Sequence, residues 1–212
     1  MILAMTPFIL RAFFTLFVVL DPIGLVPIFL TLAGEYSPKV QRRIIRQSIL
    51  VAGGILFSFA LFGNHLLRYL GISVEAFQVA AGILLLKIAV DMVFAQHQRE
   101  TKAEESEAQT RTDISVFPLG TPLIAGPGAL ASILVLQGEA TIYPFGTAIV
   151  LGMTMSVLLL LYGSLAIAQT LTQWLGRTGI NVVSRVLGIL LAALAVQYVI
   201  DGILALMKKT LF

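Results

Sequence analysis

The chain of 212 residues contains no cysteine, which excludes disulfides, thiol chemistry and cysteine-held metals. Its two histidines, His65 and His97, stand far apart and share no ligand spacing with other residues, so neither a metal site nor a cofactor is expected. Charge is scarce as well: 12% of residues are Asp, Glu, Lys or Arg and 58% are hydrophobic, whereas a soluble domain carries about 25% charged residues. That composition cannot cover a water-exposed surface. No basic segment precedes the first apolar run and no small-residue cleavage site precedes Asp21-Pro22, so the run reads as a retained span and not as a cleaved signal. A net charge of +3 does not point to nucleic acid, because no Lys/Arg patch is interleaved with aromatics. The basic residues flank apolar spans, as in proteins held in a lipid bilayer. No nucleophile–base set is present, so an enzyme is not expected.

What the chain does have is long apolar runs. A bilayer-spanning helix needs about 20 mostly apolar residues, and six such spans are expected: Phe8–Leu32, Gln47–Leu67, Ile72–Phe94, Ile114–Leu136, a stretch within Tyr143–Ala168, and Val186–Met207. The first is interrupted at Asp21-Pro22-Ile23-Gly24 and the fourth at Gly126-Pro127-Gly128. The single polar stretch, Gln96–Asp113, reads as a flexible linker. It divides the chain into two three-span halves, residues 1–95 and 114–212. Lys and Arg set orientation. The face carrying Lys39, Arg42, Arg43, Arg46, Arg99, Lys102, Arg111, Arg177 and Arg185 has nine of them, and the face carrying Arg11, Arg68, Lys208 and Lys209 has four. The first face is therefore expected in the cytoplasm and both termini in the periplasm. Ser37-Pro38 fits an N-cap and first helical turn leading into the second span.

The halves resemble each other. Gly24–Glu35 aligns without gaps on Gly128–Glu139, each copy following a proline, and Gly82-Ile83-Leu84-Leu85 matches Gly188-Ile189-Leu190-Leu191, with Ala89-Val90 matching Ala195-Val196. The offsets, 104 and 106 residues, are nearly constant. A repeat with an odd number of spans inserts its second copy upside down, an architecture common in transporters. The expected fold is an all-α membrane protein of six transmembrane helices, arranged as two inverted three-helix repeats with helices 1 and 4 broken.

Asp21-Pro22 lies about 20 Å into the first span at 1.5 Å per residue, and Gly126-Pro127 lies at similar depth from the opposite face. Non-helical backbone near the midplane is tolerated only inside protein or beside a wet cavity. After each break a half-helix begins, with free N–H groups and the positive end of its dipole at the midplane. Two such ends suit a carboxylate, and the intramembrane carboxylate of Asp21 suits an ammonium. A small zwitterion is therefore the expected partner, at Asp21, Pro22, Gly24, Thr121, Gly126, Pro127, Gly128 and Ser132. Asp21 also suits an N-cap, and the two roles are compatible. The hydroxyls of Thr121 and Ser132 are expected to bond their own helix backbone. Lys87 and Asp91, spaced i, i+4, are expected to form a structural pair and not a proton relay. Asp201 and Arg185 are expected to anchor the ends of the sixth span, and Tyr143, Tyr162, Trp174 and Tyr198 to serve interface or packing.

The motifs DPIGLVPIF at Asp21–Phe29, TPLIAGPGAL at Thr121–Leu130 and GILLLKIAVDM at Gly82–Met92 resemble the MarC family of inner-membrane proteins, also described as a neutral amino acid transporter family. The resemblance runs in order over nearly the whole chain. It implies six spans in the cell inner membrane and, for some members, transport of small neutral amino acids, with proton coupling. Export of another small solute and a non-transporting scaffold or sensor are the alternatives. Two midplane breaks argue against a scaffold, which has no need of them. No residue pattern speaks to oligomeric state.

Overall fold

The computed structural model describes residues 2–94 and 114–211; the expected linker, Gln96–Asp113, lies outside the described residues. Among those residues every element is a helix: α1 (Ile2–Leu20), α2 (Leu25–Ala33), α3 (Pro38–Tyr69), α4 (Val74–Val93), α5 (Ser115–Ile124), α6 (Pro127–Ala140), α7 (Gly146–Ala166) and α8 (Ala168–Leu211). Four stretches are long and apolar enough to cross a bilayer alone: α3, α4, α7 and the Thr178–Lys208 part of α8. Two further spans are bent pairs, α1 with α2 at 41° and α5 with α6 at 51°. The chain is an integral membrane protein of up to six helical spans, and the bends fall in the first and fourth. Large apolar side chains such as Leu50, Phe62, Ile83, Leu159 and Ile189 are exposed along the spans, a belt that suits lipid and not water.

Local chemistry explains the helix starts. Ser37 is extended (φ −61°, ψ 153°) and Pro38 takes the first helical position, although Ser37 makes no side-chain cap bond. Proline is well placed there because it has no N–H to leave unsatisfied. Ser73 caps α4, its hydroxyl accepting from the Ala76 amide at 3.2 Å.

The fourth span departs from expectation. Besides the break at Gly126, Phe117 (φ −134°, ψ 130°) and Thr121 (φ −144°, ψ 131°) leave the helical region. Each precedes a proline, Pro118 or Pro122, across a cis peptide bond. The entering half of that span, α5, is interrupted at these two places.

The packing is reciprocal between the halves. A side chain at Gly82 would stand 2.6 Å from the Ala195 carbonyl oxygen and 2.7 Å from Val199; one at Gly188 would stand 3.2 Å from the Ala89 carbonyl oxygen and 3.1 Å from Val93. Subtracting 106 from 188, 195 and 199 gives 82, 89 and 93. Each glycine thus occupies the place its counterpart occupies on the other helix, as a two-fold axis between antiparallel α4 and α8 requires. Ser48 of α3 and Thr154 of α7, also 106 apart, are both buried, and each donates to the carbonyl four residues back at 2.9 and 2.8 Å. Likewise α1 packs on α7 as α5 packs on α3, and α2 on α8 as α6 on α4.

Candidate functional site

The two breaks adjoin. A side chain on Gly128, at the start of α6, would stand 3.6 Å from Val19, two residues before Asp21. The same bare position lies 2.7 Å from Ile88 and 3.2 Å from Leu85 of α4. The missing side chain of Gly128 lets α6 pack closely on α4 and α1.

At the first break Asp21 adopts a left-handed backbone conformation (φ 39°), which Asp and Asn reach more readily than other side chains. Its carboxylate turns forward, and the Gly24 N–H donates to Oδ1 at 2.9 Å. The Leu25 N–H donates to the Asp21 carbonyl at 3.1 Å and the Val26 N–H to the Ile23 carbonyl at 3.2 Å. The first amides of α2 are therefore engaged, and the expectation of free donors there is corrected: Asp21 caps this half-helix. Pro22 is buried and Gly24 half-buried. A side chain on Gly24 would run into the Asp21 carboxylate and stand 2.7 Å from the Ser184 hydroxyl of α8. Ser184 was not foreseen. Its hydroxyl is buried without a hydrogen-bond partner and borders the same vacant position at Gly24 as the carboxylate.

The second break differs. Gly126 is extended (φ −86°, ψ 173°) and offers no side-chain cap, with Pro127 following it at the first helical turn. The first backbone bond is donated by Leu130 to the Gly126 carbonyl at 3.0 Å, and the Gly128 and Ala129 amides have no partner among the described residues. The uncapped positive end therefore belongs to α6 alone. Ser132, one turn beyond Gly128, is fully buried and its hydroxyl has no hydrogen-bond partner; it does not bond its own helix as expected. Thr121 is half-buried in an extended segment, so it has no regular helix of its own to bond.

Lys87 and Asp91 do pair, at 3.2 Å, with the lysine side chain 61% exposed. An exposed i, i+4 pair is worth about 0.3–0.5 kcal/mol. Replacing both residues with leucine is therefore expected to leave solute flux in proteoliposomes unchanged. A well-folded but inactive double variant would give the pair a direct part in turnover.

A second polar group, unforeseen, lies toward the face that carries both termini. Arg11 of α1 contacts Glu139 of α6 at 3.1 Å and Asp201 of α8 at 3.9 Å, with its guanidinium 6.0 Å from the centre of the Tyr198 ring. Tyr198 is fully buried. Asp201 and Tyr198 are thus parts of one network; the expectation that Asp201 merely anchors a helix end is replaced. Tyr143 stacks on Phe8 at 4.6 Å, a packing role, and Trp174 is exposed.

Known proteins resemble this chain along nearly its whole length. The family model described as "MarC family integral membrane protein" matches residues 6–207. A UPF0056 membrane protein of Methanocaldococcus jannaschii is 38% identical over 197 residues, covering 92% of this chain and 96% of that protein. One from Aquifex aeolicus is 37% identical over 202 residues, 93% of each chain. The UPF0056 membrane protein YhcE of Escherichia coli is 31% identical over 201 residues, covering 93% and 92%. No solved structure matches the chain.

Proposed function

The chain belongs to the MarC family of integral membrane proteins, and from that membership and its paired breaks we propose that it is a secondary transporter of small neutral amino acids in the cell inner membrane. The observation that carries this reading is the pairing of unlike ends at one place. The uncapped start of α6, with the unpartnered Gly128 and Ala129 amides and the buried Ser132 hydroxyl, adjoins a break bearing the Asp21 carboxylate. Amides at a helix start favour an anionic group, so the substrate carboxylate belongs at α6. Its ammonium belongs at Asp21, with the Ser184 hydroxyl as a further acceptor. A structural scaffold has no use for either end. The Lys/Arg balance supports an orientation with the linker face in the cytoplasm and both termini in the periplasm.

The test is flux of glycine and alanine through purified protein in proteoliposomes. Asp21→Asn tolerates the left-handed backbone and keeps the cap, because Asn and Asp rank alike there, but it removes the charge. Loss of a charge-assisted bond of about 1.5–3 kcal/mol is expected to weaken affinity roughly 10- to 150-fold. Unchanged affinity and flux would leave Asp21 a cap and remove the ammonium site. Absence of flux for both solutes in the unmodified protein would sink the amino acid reading altogether.

A further inference from the structure

We propose that the site between the two breaks is open to the linker face and sealed from the terminal face, and that the protein moves solute by exchanging the unlike packings its two halves hold in this structure. The exchange rests on the transport reading; the one-sided opening does not.

The two-fold relation that holds between α4 and α8 fails at the broken spans. Offsets of 104 and 106 make α1 the repeat mate of α5, α2 that of α6 and α4 that of α8. Gly128 of α6 stands against Leu85 and Ile88 of α4, whose mates on α8 are Leu191 and Leu194. Gly24, the mate of Gly128, stands instead against Ser184 of α8. Ser184 precedes Leu191 by seven residues and Leu194 by ten, or about 10–15 Å at 1.5 Å per residue. The start of α8 lies at the linker face, so α2 is displaced toward that face relative to the place symmetry would give it.

The entering halves of the two broken spans differ in the same sense. On the terminal side α1 packs on both α6 and α8, whereas α5 makes no comparable packing with α2 or α4. Ala12 is fully buried, and Val18 lies in the core that Leu85 of α4, Ala131 of α6 and Leu191 of α8 share. Their mates on α5 are less covered: Val116 is 43% exposed and Pro122 is half-buried. Nearer the terminal face, Arg11 of α1 contacts Glu139 of α6 and Asp201 of α8. The mates of Arg11 and Glu139 are Ser115 and Glu35, which offer no ion pair, and Glu35 is exposed. Three helices therefore close the terminal side, and their mates leave the linker side apart.

Exposure at the second break agrees. Pro127 is exposed, next to the Gly128 amide that has no partner among the described residues. Backbone of this kind at membrane depth is tolerated inside protein or beside a wet cavity, not against lipid. Water therefore meets the start of α6, and with the terminal side packed it enters between α5, α2 and α4. Two halves built alike hold two packings, and either half can hold either one. In the exchanged state α5 packs on α2 and α4, α1 withdraws from α6 and α8, and the site opens to the terminal face.

Because the chain has no cysteine, single cysteines report without background. A membrane-impermeant maleimide is added to one side of sealed vesicles at a time. Glu35→Cys, in the exposed turn between α2 and α3, marks the linker side, and Ile142→Cys, in the exposed turn between α6 and α7, marks the terminal side. Each is combined with the reporting cysteine, so correct insertion is read in the same preparation. Without solute, Thr121→Cys should be labelled from the side that labels Glu35→Cys, and Val18→Cys from neither side. Labelling of Val18→Cys from the Ile142 side, or failure to label Thr121→Cys from the Glu35 side, overturns the one-sided opening. Glycine should then bring on labelling of Val18→Cys from the Ile142 side. It should also let a short bifunctional maleimide join Ser115→Cys to Glu35→Cys, with loss of glycine flux. Neither change on adding glycine, in a protein that carries glycine, would overturn the exchange. Absence of glycine flux in the unmodified protein would sink the transport reading and the exchange with it, while labelling without solute still decides the opening.

Discussion

Gly24→Ala is expected to abolish flux of small amino acids while leaving the protein inserted and folded. The added methyl would occupy the place of the Asp21 carboxylate and press on the Ser184 hydroxyl. Of these neighbours the carboxylate stands nearest, so it is the one that must move. Swinging away breaks the bond from the Gly24 amide, uncaps α2 and carries the negative charge out of the break. Loss of a cap costs about 0.5–2 kcal/mol, which a six-span bundle survives. Thermal unfolding in detergent and glycine flux in proteoliposomes, measured on the same preparation, separate the two consequences. A small drop in stability with flux lost is the expected pair of results. Flux retained at the level of the unmodified protein would mean that the carboxylate's position does not matter to the solute. The Asp21–Ser184 side of the site would then fall, leaving the α6 end to stand by itself.

The legible part of this molecule was the part written in runs and in breaker residues. Apolar length located the spans, and proline with glycine located both bends, because these residues act on the backbone wherever they stand. The same logic could have flagged α5, since Pro118 and Pro122 are breakers there too, but the apolar run through Ile114–Leu136 reads as a span interrupted only later. What separates the two half-helices was not legible. It depends on the Asp21 side chain turning forward onto the Gly24 amide while Gly126 has no side chain to turn. Ser184 stood beside the charged Arg185 and read as a span end, although the helix already runs through it. The contact between Arg11 and Glu139 joins residues 128 apart in the chain, and no local spacing announces such a pair. Charge scarcity was the available signal: in a chain with so few ionisable groups, each one placed within a span invites a search for its partner.

The second large effect concerns the seam between α4 and α8. Gly82→Ala is expected to destabilise the protein by about 1–3 kcal/mol, the usual cost of overpacking a close contact, and Gly188→Ala by somewhat less. At Gly82 the new methyl would face the Ala195 carbonyl oxygen at 2.6 Å and the Val199 amide at 3.0 Å, main-chain atoms that yield only if the helices separate. At Gly188 the nearest atom is the Met92 Cβ at 2.9 Å, with the Ala89 carbonyl oxygen at 3.2 Å, so less must move. Because both substitutions act by parting the same two helices about one axis, the double variant should cost less than the sum of the singles. Gly54, Gly152 and Gly163 supply the control: they lie within helices, and a methyl there would meet nothing within 4 Å. Alanine at those positions is expected to be neutral or to stabilise by about 0.5–1 kcal/mol, since glycine weakens a helix interior by that amount. Denaturant or thermal unfolding of the five single variants and the Gly82–Gly188 double decides the matter. Strict additivity of the double variant would mean that the two glycines do not share one seam. It would remove the strongest structural sign that the halves of this chain face each other across a two-fold axis.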